Sequence, residues 1–517
     1  MALSIRAQIC DGRWVARDWR DERISELEGE LAARDRRIAA LEAESAAKDA
    51  RIAELEQQVS MLSGQVAMLM KQVTELSETL GRNSRNSHVP PSSDSPQDRQ
   101  QRKGKKKSKS QRKRGGQPGH EGSHRELLPS EKVTKFVELF PSECENCWTP
   151  LPRVVDPSAK RYQQTELPPI EPHTTEWRRH AVACPRCGYK TRAAYDETKI
   201  PAWRFGPQLM AVMALFTGVY HLGRRRAVEL LSDIIGVRVS LGALSATEAR
   251  VGHAVQPAVS EVWEQVSRGK VKHTDGTSWY QAGVTMALWT IATAAATVFK
   301  IVSDSTKQTL APLYGALDGI LVSDRAKALN FWAMDRRQIC WAHLLRKFVS
   351  FSERDGPAVF FGRQLLEYAG LVFEYWHDYK AGKLSRETFV AWMSPVREQV
   401  EAVLAQAVAA DIARLSGSCA DILEHRAALW TFVDRDDVEP TNNHAEREIR
   451  AFVLWRKRSF GTQSARGNLF AENLMTVAHT ARKQKKNVLA FLTRSCEAHR
   501  DGASAPSLFD VEVAVAA

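Results

Sequence analysis

The chain has 517 residues, 43% of them hydrophobic and 26% charged, with eight cysteines and a net charge of +12. It is too long for one ordinary domain, and its pI near 9.3 suggests a polyanionic partner. No run approaches the ~18 apolar residues that span a bilayer, and the opening MALSIRAQICDGRWVARDWRDER lacks the apolar core of a secretory signal. The cysteines do not form a disulfide framework, so the expected compartment is a reduced cytoplasm.

Residues 21–82 read as a dimerisation helix. Ile24, Leu31, Ile38, Ile52, Val59, Val66, Val73 and Leu80 fall at heptad position a, with Leu27, Leu41, Leu55, Leu62, Leu69 and Leu76 at d. β-branched residues at a with Leu at d favour a parallel two-stranded coiled coil, and Arg34, Ser45 and Lys48 interrupt the seam at a cost that fixes register. Gly81 stops the helix.

Residues 83–125 read as a flexible basic linker. The stretch NSRNSHVPPSSDSP is built of turn formers that cannot pack a core. Residues 99–114 carry ten Lys or Arg and no acid, among them Arg102, Lys103, Lys105, Lys106, Lys107, Arg112, Lys113 and Arg114. Such a block either lies along phosphates by counterion release or only solubilises the linker.

Residues 126–200 read as a small zinc ribbon, with PPIEPHTTEWRRHAVACPRCGY as strands around a turn. Cys144-x-x-Cys147 and Cys184-x-x-Cys187 supply the four thiolates of a closed, structural zinc site. A redox pair and four unrelated thiols are the competing readings. Residues 201–268 return to helical spacing, and RRAVELLSDIIGVRVSLGALSATEARV has the outline of a helix-turn-helix with Ser240 as an N-cap. Packing of a helical hairpin explains that outline equally well.

Strand character runs from 269 to 345, helical spacing from about 350 to 430, and amphipathic helices rich in Lys and Arg from 464 to 498. Three acids stand out by context. Asp275 follows Val271–Thr274 in the opening strand, and Asp324 ends the strand Gly319–Ser323, at the carboxyl end where sites on mixed sheets gather. Glu446 lies in TNNHAEREIR at a helix start where Asn442 or Asn443 is the N-cap, and it shares a face with Arg450. Carboxylates from distant parts of a chain suit a pair of hard divalent ions about 3.5–4 Å apart. On the residues alone Asp304, Asp318, Asp434, Asp436, Asp437 and Glu448 compete with them.

The sequence resembles the bacterial transposases of insertion-sequence family sixty-six along nearly the whole chain. The resemblance rests on the N-terminal heptads, NSRNSHVPPSSD, the basic run into KRGGQPGHEG and the paired Cys-x-x-Cys. It continues through HTDGTSWY, GILVSDRAKAL, CWAHLLRKF, PTNNHAEREIR and RKRSFGTQSARG. It implies a multidomain protein: coiled coil, zinc ribbon, helical DNA-binding region, an α/β RNase H-like core (mixed sheet) over 269–463 with a helical insertion about 350–430, and a helical tail over 464–517. It also implies a DDE site of Asp275, Asp324 and Glu446 that cuts and joins DNA with two Mg2+ or Mn2+ ions.

Many members of that family carry an acid after the first Asp, where this chain has Gly276; that position is not one of the three ligands. Arg447, Arg450, Arg456, Lys457 and Arg458 are candidates to hold phosphates, or form a solvated helix face. His343 either touches the scissile phosphate or caps the sheet. Cys340, Trp279 and Trp341 read as core. The expected partners are double-stranded DNA (transposon ends and target), a second copy through the coiled coil, and helper proteins of the same element, with no membrane; on DNA the protein is expected at the nucleoid. A decayed transposase that only binds DNA, a zinc-ribbon scaffold and a stand-alone nuclease are the competing functions.

Overall fold

A computed structural model describes residues 9–10, 13–14, 19–87, 94, 126–194 and 203–510. The basic run 99–114, and with it the DNA-binding candidates from Arg102 to Arg114, lies outside them. The chain divides into two compact units whose main boundary falls between Ser84 and Arg85.

In the first unit, β1 (Ile9–Cys10) and β2 (Arg13–Trp14) pair antiparallel. One uninterrupted helix, α1 (Trp19–Leu80), follows and ends at Gly81 as expected. At 1.5 Å per residue it runs about 90 Å. Its apolar stripe is bare within this unit: Ile38 is 53% exposed and Leu62 59%.

The second unit opens with two small knuckles and one short hairpin, β3 (Ala181–Ala183) with β4 (Lys190–Arg192). Of the strands expected around a turn over 168–189, only this hairpin forms. Pro168, Pro169 and Pro172 remove ladder donors there, and the backbone from 160 to 180 has no regular structure.

Helices α2 (Pro207–Ala214), α3 (Arg224–Leu230), α4 (Leu241–Ala254) and α5 (Gln256–Arg268) come next. Ser240 caps α4, its Oγ accepting from Ala243 N–H at 3.1 Å. The second helix of the expected helix-turn-helix is α4, and Leu244, Thr247, Glu248, Val251 and Gly252 on it are buried. Leu241, Gly242 and His253 are exposed on it, and Ala243, Ser245, Ala246, Ala249 and Arg250 are half-buried.

The sheet that carries the site comprises β5 (Val271–Gln281), β6 (Val284–Ala292), β7 (Thr297–Val302), β8 (Ile320–Ser323) and β9 (Arg337–Ile339), in the order β7-β6-β5-β8-β9. β7, β6 and β5 run antiparallel, while β5, β8 and β9 run parallel. Helix α6 (Lys307–Tyr314) makes the crossover from β7 to β8. Gly319 is required at the entry to β8: its φ is +87°, and a Cβ there would sit 2.4 Å from Lys270 O.

After β9 come α7 (Trp341–Ser352), α8 (Ala358–Lys380), α9 (Arg386–Ala409) and α10 (Ser416–Glu424). They share a core with β8 and β9 through Val322, Ile339, Trp341, Leu365, Val400 and Trp430. A short turn of helix, α11 (Thr431–Asp434), leads to α12 (Asn443–Ser459), α13 (Ala465–Lys483) and α14 (Val488–Asp501).

One sheet face packs Ala287, Trp289 and Val298 against Val262, Leu474 and Phe491. The other packs Trp279, Leu288 and Phe299 against Ile449, Phe452 and Trp455 of α12, the alternation that a period of two requires. The chain is thus a helical N-terminal region followed by an α/β core on a mixed sheet.

Edge strand β7 is covered side chain by side chain. Thr480, Thr476 and Glu472 of α13 accept from the N–H groups of Thr297, Phe299 and Ile301 at 3.1, 3.2 and 2.8 Å. One turn of helix advances about as far as two residues of strand, so the i, i+4 ladder matches the free donors and blunts the edge.

Candidate active site

Asp275 lies within β5 and Asp324 directly follows β8. These parallel neighbours pair His273 with Val322. Two residues further along each strand stand Asp275 and Asp324, on the same face at the ~4.8 Å spacing of adjacent strands. That face is the one α12 covers, and Glu446 lies in the first turn of α12.

Asn442 sets the approach of that helix. It occupies the N-cap position but makes no side-chain cap. Instead its Nδ2 donates to Thr274 O at 2.6 Å, and its backbone N–H donates to Cys340 Sγ at 3.1 Å. The start of α12 is therefore pinned to the strand residue beside Asp275.

The carboxyls bear on one another. Burial pushes Asp275 up to about 7, with Asp324 and Glu446 adding to the rise while Gly276 N–H and Arg346 oppose it. Glu446 is also raised, first by burial and then by Asp324, against the pull of Arg346. Gly276 N–H donates to Asp275 Oδ1 at 2.9 Å, and Ala326 N–H to Asp324 Oδ1 at 3.0 Å.

Behind Asp324 the buried Arg337 donates to Asp324 O at 2.9 Å, to Ser323 Oγ at 3.1 Å and to Asn330 Oδ1 at 2.9 Å. A neutral interior loaded with three carboxyls is what a divalent cation relieves. Glu446 Oε1, buried and without a hydrogen bond, supplies a ready ligand atom.

His343, in the first turn of α7, sits with Nδ1 3.7 Å from Glu446 Oε1, and Arg346 one turn on has Nη2 3.9 Å from Oε2. Arg346 escaped the reading of the sequence, although its i, i+3 spacing from His343 in CWAHLLRKF puts both on one face. Arg447, Arg450, Lys457 and Arg458 are exposed on α12. Arg456 differs: it donates to Thr277 Oγ1 at 3.0 Å and Ser278 Oγ at 2.6 Å, which commits it to β5. Cys340, Trp279 and Trp341 are fully buried.

The competing acids lie elsewhere. Asp304 accepts from the hydroxyls of Thr306, the N-cap of α6, and Thr309, which hold its carboxyl far below the usual range. Asp318 meets Arg336, Asp436 meets Tyr379, and Asp434 and Asp437 are exposed. Glu448 belongs to His479 and Lys483 on α13, at 2.5 and 3.2 Å. At Gly276 a Cβ would stand 2.8 Å from the Trp289 ring. An acid there would also point to the sheet face opposite Asp275.

The two Cys-x-x-Cys turns share one backbone pattern. Cys144 N–H donates to Thr149 O and its carbonyl accepts from Trp148; Cys184 N–H donates to Tyr189 O and its carbonyl accepts from Gly188. Trp148 and Gly188 both adopt positive φ, 60° and 74°. Contacts between the sulfurs within a pair help lower Cys147, after Thr149, and Cys184, after the backbone of Cys187 and Arg186. The four sulfurs do not form one mutually adjacent set; the groups of that kind among the described residues are Cys340–His343–Glu446 and Asp421–Glu424–His425.

Comparison with known sequences covers both regions. Residues 42–126 match a family of unknown function (DUF6444). No curated protein matches the chain. Residues 203–469, just over half of the chain, match the family described as Transposase IS66 family. That span holds the whole five-stranded sheet and all three converging carboxylates, so the chain belongs to the transposase IS66 family.

Proposed function

We propose that this transposase cuts DNA at the ends of its element and joins the freed ends to target DNA, using Asp275, Asp324 and Glu446 to hold two divalent ions, Mg2+ or Mn2+. The observation that carries this reading is the convergence of three distant carboxyls at one sheet face, with Asp275 and Glu446 shifted toward neutrality by burial and by the neighbouring Asp324. The strand order, with antiparallel β6 beside central β5, supports an RNase H-like core interrupted by the helices α8–α10.

Bound ions of this kind activate a water or a 3′-hydroxyl and stabilise charge on the phosphate in an in-line displacement. The protein's own contribution is placement. Asp275 and Asp324 present oxygens from adjacent strands, and Asn442 holds Glu446 over them. To hold an ion Asp275 would give up its proton, and Arg346 lies beside Glu446 to balance charge. Arg447, Arg450 and Lys457 present an exposed basic face to the DNA backbone, and His343 reaches the phosphate from the other side of Glu446. Arg456 stays bound to β5.

The remaining regions handle DNA and assembly. Residues 21–82 join two copies as a coiled coil. The linker 83–125 follows phosphates, and in the ribbon over 126–200 one structural Zn2+ would draw together Cys144, Cys147, Cys184 and Cys187, whose matched turns each offer two sulfurs although the two pairs stand apart without it. Residues 203–268 and 464–510 pack on the core of 269–463. Helper proteins of the element complete the assembly. No helix of the described residues is long and apolar enough to cross a membrane.

The test is strand cleavage and strand transfer in Mg2+ or Mn2+ on DNA carrying the element's ends. Wild type is compared with Asp275→Asn, Asp324→Asn and Glu446→Gln, each checked for folding and DNA binding. Metal-dependent activity lost in all three with binding kept is the expected result. Activity persisting in one variant removes that residue from the site. A wild type that binds ends and cleaves nothing, helpers supplied, is a decayed transposase that only binds DNA.

A further inference from the structure

We propose that Cys340, His343 and Glu446 form a second, inhibitory site for a borderline transition metal, Zn2+ above all, built onto the edge of the catalytic centre. One sulfur, one imidazole nitrogen and one carboxylate oxygen of these residues all lie within 4.8 Å of one another. Mg2+ and Mn2+ prefer oxygen ligands, whereas sulfur with imidazole selects Zn2+ and its neighbours. Three protein ligands with an open fourth position make a site that exchanges its metal rather than a closed structural one.

Without an ion, burial pushes the Cys340 thiol up to about 11, while backbone N–H donors around the sulfur favour the thiolate that a bound cation would complete. Cys340 is the N-cap of α7 and His343 lies in the first turn of the same helix, while Glu446 lies in the first turn of α12. Two helix N-termini therefore converge on the cluster with their positive ends. Asn442 N–H already donates to Cys340 Sγ at 3.1 Å, as second-shell amides do to metal-bound sulfur. Glu446 Oε1, the atom 3.7 Å from His343 Nδ1, is buried without a hydrogen bond. On binding, the Cys340 thiol releases its proton to solvent and the sulfur bonds the metal.

The inhibitory consequence rests on the proposed catalytic role of Glu446. One carboxylate serves both sites, so Zn2+ held by Cys340 and His343 turns Glu446 away from the catalytic ions. The site itself needs no such role.

Metal-stripped full-length protein titrated with Co2+ tests the site directly, because thiolate ligation gives a charge-transfer band. Wild type should take up one more thiolate-bound equivalent than Cys340→Ser, which keeps an acceptor for Asn442 N–H. The ribbon cysteines are present in both chains and cancel. Cys340→Ala is the second variant for the same difference, and Glu446→Gln should weaken the extra equivalent by at least about tenfold. In strand cleavage at fixed Mg2+, Cys340→Ser should need at least about tenfold more Zn2+ for half-inhibition. Equal Co2+ uptake by wild type and both Cys340 variants overturns the site. Extra uptake with unchanged Zn2+ sensitivity overturns its inhibitory role. Because the titration uses neither DNA nor catalysis, its result stands apart from the fate of the transposase reading.

Discussion

At the scale of single residues, the carboxyl of Asp275 couples stability to pH. Below about pH 4 it is neutral in the folded and the unfolded chain alike, and contributes nothing to the difference between them. Above that, the unfolded chain ionises while the folded one holds its proton to about 7. The metal-free fold therefore loses stability as pH rises through this window, by roughly 4 kcal/mol at full ionisation. Asp275→Asn carries no such cost, so in chelator at pH 8 it should melt above wild type, with the gap closing toward pH 4. Mg2+ should narrow the gap from the wild-type side. Equal melting temperatures at pH 8 would show that burial does not tax this carboxyl. Gly276 offers a steric counterpart. Its missing Cβ leaves room for the Trp289 ring, so Gly276→Ala should destabilise by about 1–3 kcal/mol in denaturant unfolding. No change in stability would mean that the ring moves aside freely. The three candidate carboxyls stood out in the sequence because each sits in a distinctive string of residues. The Trp289 contact was not, since no local pattern records which ring lies across a neighbouring strand.

At the scale of elements, α12 is held on both flanks. Asn442 ties its start to β5, and Glu448 ties its next turn to α13. Burial raises Glu448, but the His479 hydrogen bond and Lys483 outweigh it and bring the group down to about 2. A depressed carboxyl contributes stability above its unfolded value, near 4.5, and loses it as pH falls toward 2. Glu448→Gln should therefore flatten the acid limb of the stability profile between those values. It also strips a largely buried Lys483 of its carboxylate, which should cost about 3 kcal/mol at pH 7. A steep acid limb retained in Glu448→Gln would assign the effect to another group. Helix α12 itself could be read from TNNHAEREIR, but its anchoring could not. Glu448 looked like a rival metal ligand because a helix motif does not say which neighbour faces which side. Of the expected ribbon strands only the short hairpin of β3 and β4 formed, for a local reason, the prolines before β3. Packing among other helices takes up much of α4, the second helix of the helix-turn-helix outline, and local spacing does not record that.

At the scale of the whole molecule, α1 leaves its stripe uncovered within its own unit. Ile24, Leu31, Ile38, Leu41, Leu55 and Leu62 are each between 43% and 60% exposed. A 62-residue helix held by propensity alone gains little, since helical stability comes mostly from packing of an apolar face. The heptad spacing of that face suits a second copy, and the Ile or Val at a with Leu at d suits two parallel strands. Pairing would also bring two catalytic units to one complex, as joining two ends of one element requires. Sedimentation of the full chain should give twice the 57.9 kDa of one copy. The double variant Leu55→Lys and Leu62→Lys places like charges at adjacent d positions and should return the chain to one copy at micromolar concentration. If pairing serves end joining, that variant should still nick a single end in Mg2+ while losing concerted joining of two. A double variant that still sediments as a dimer would move the interface away from α1. One that turns monomeric and still joins two ends would separate dimerisation from catalysis.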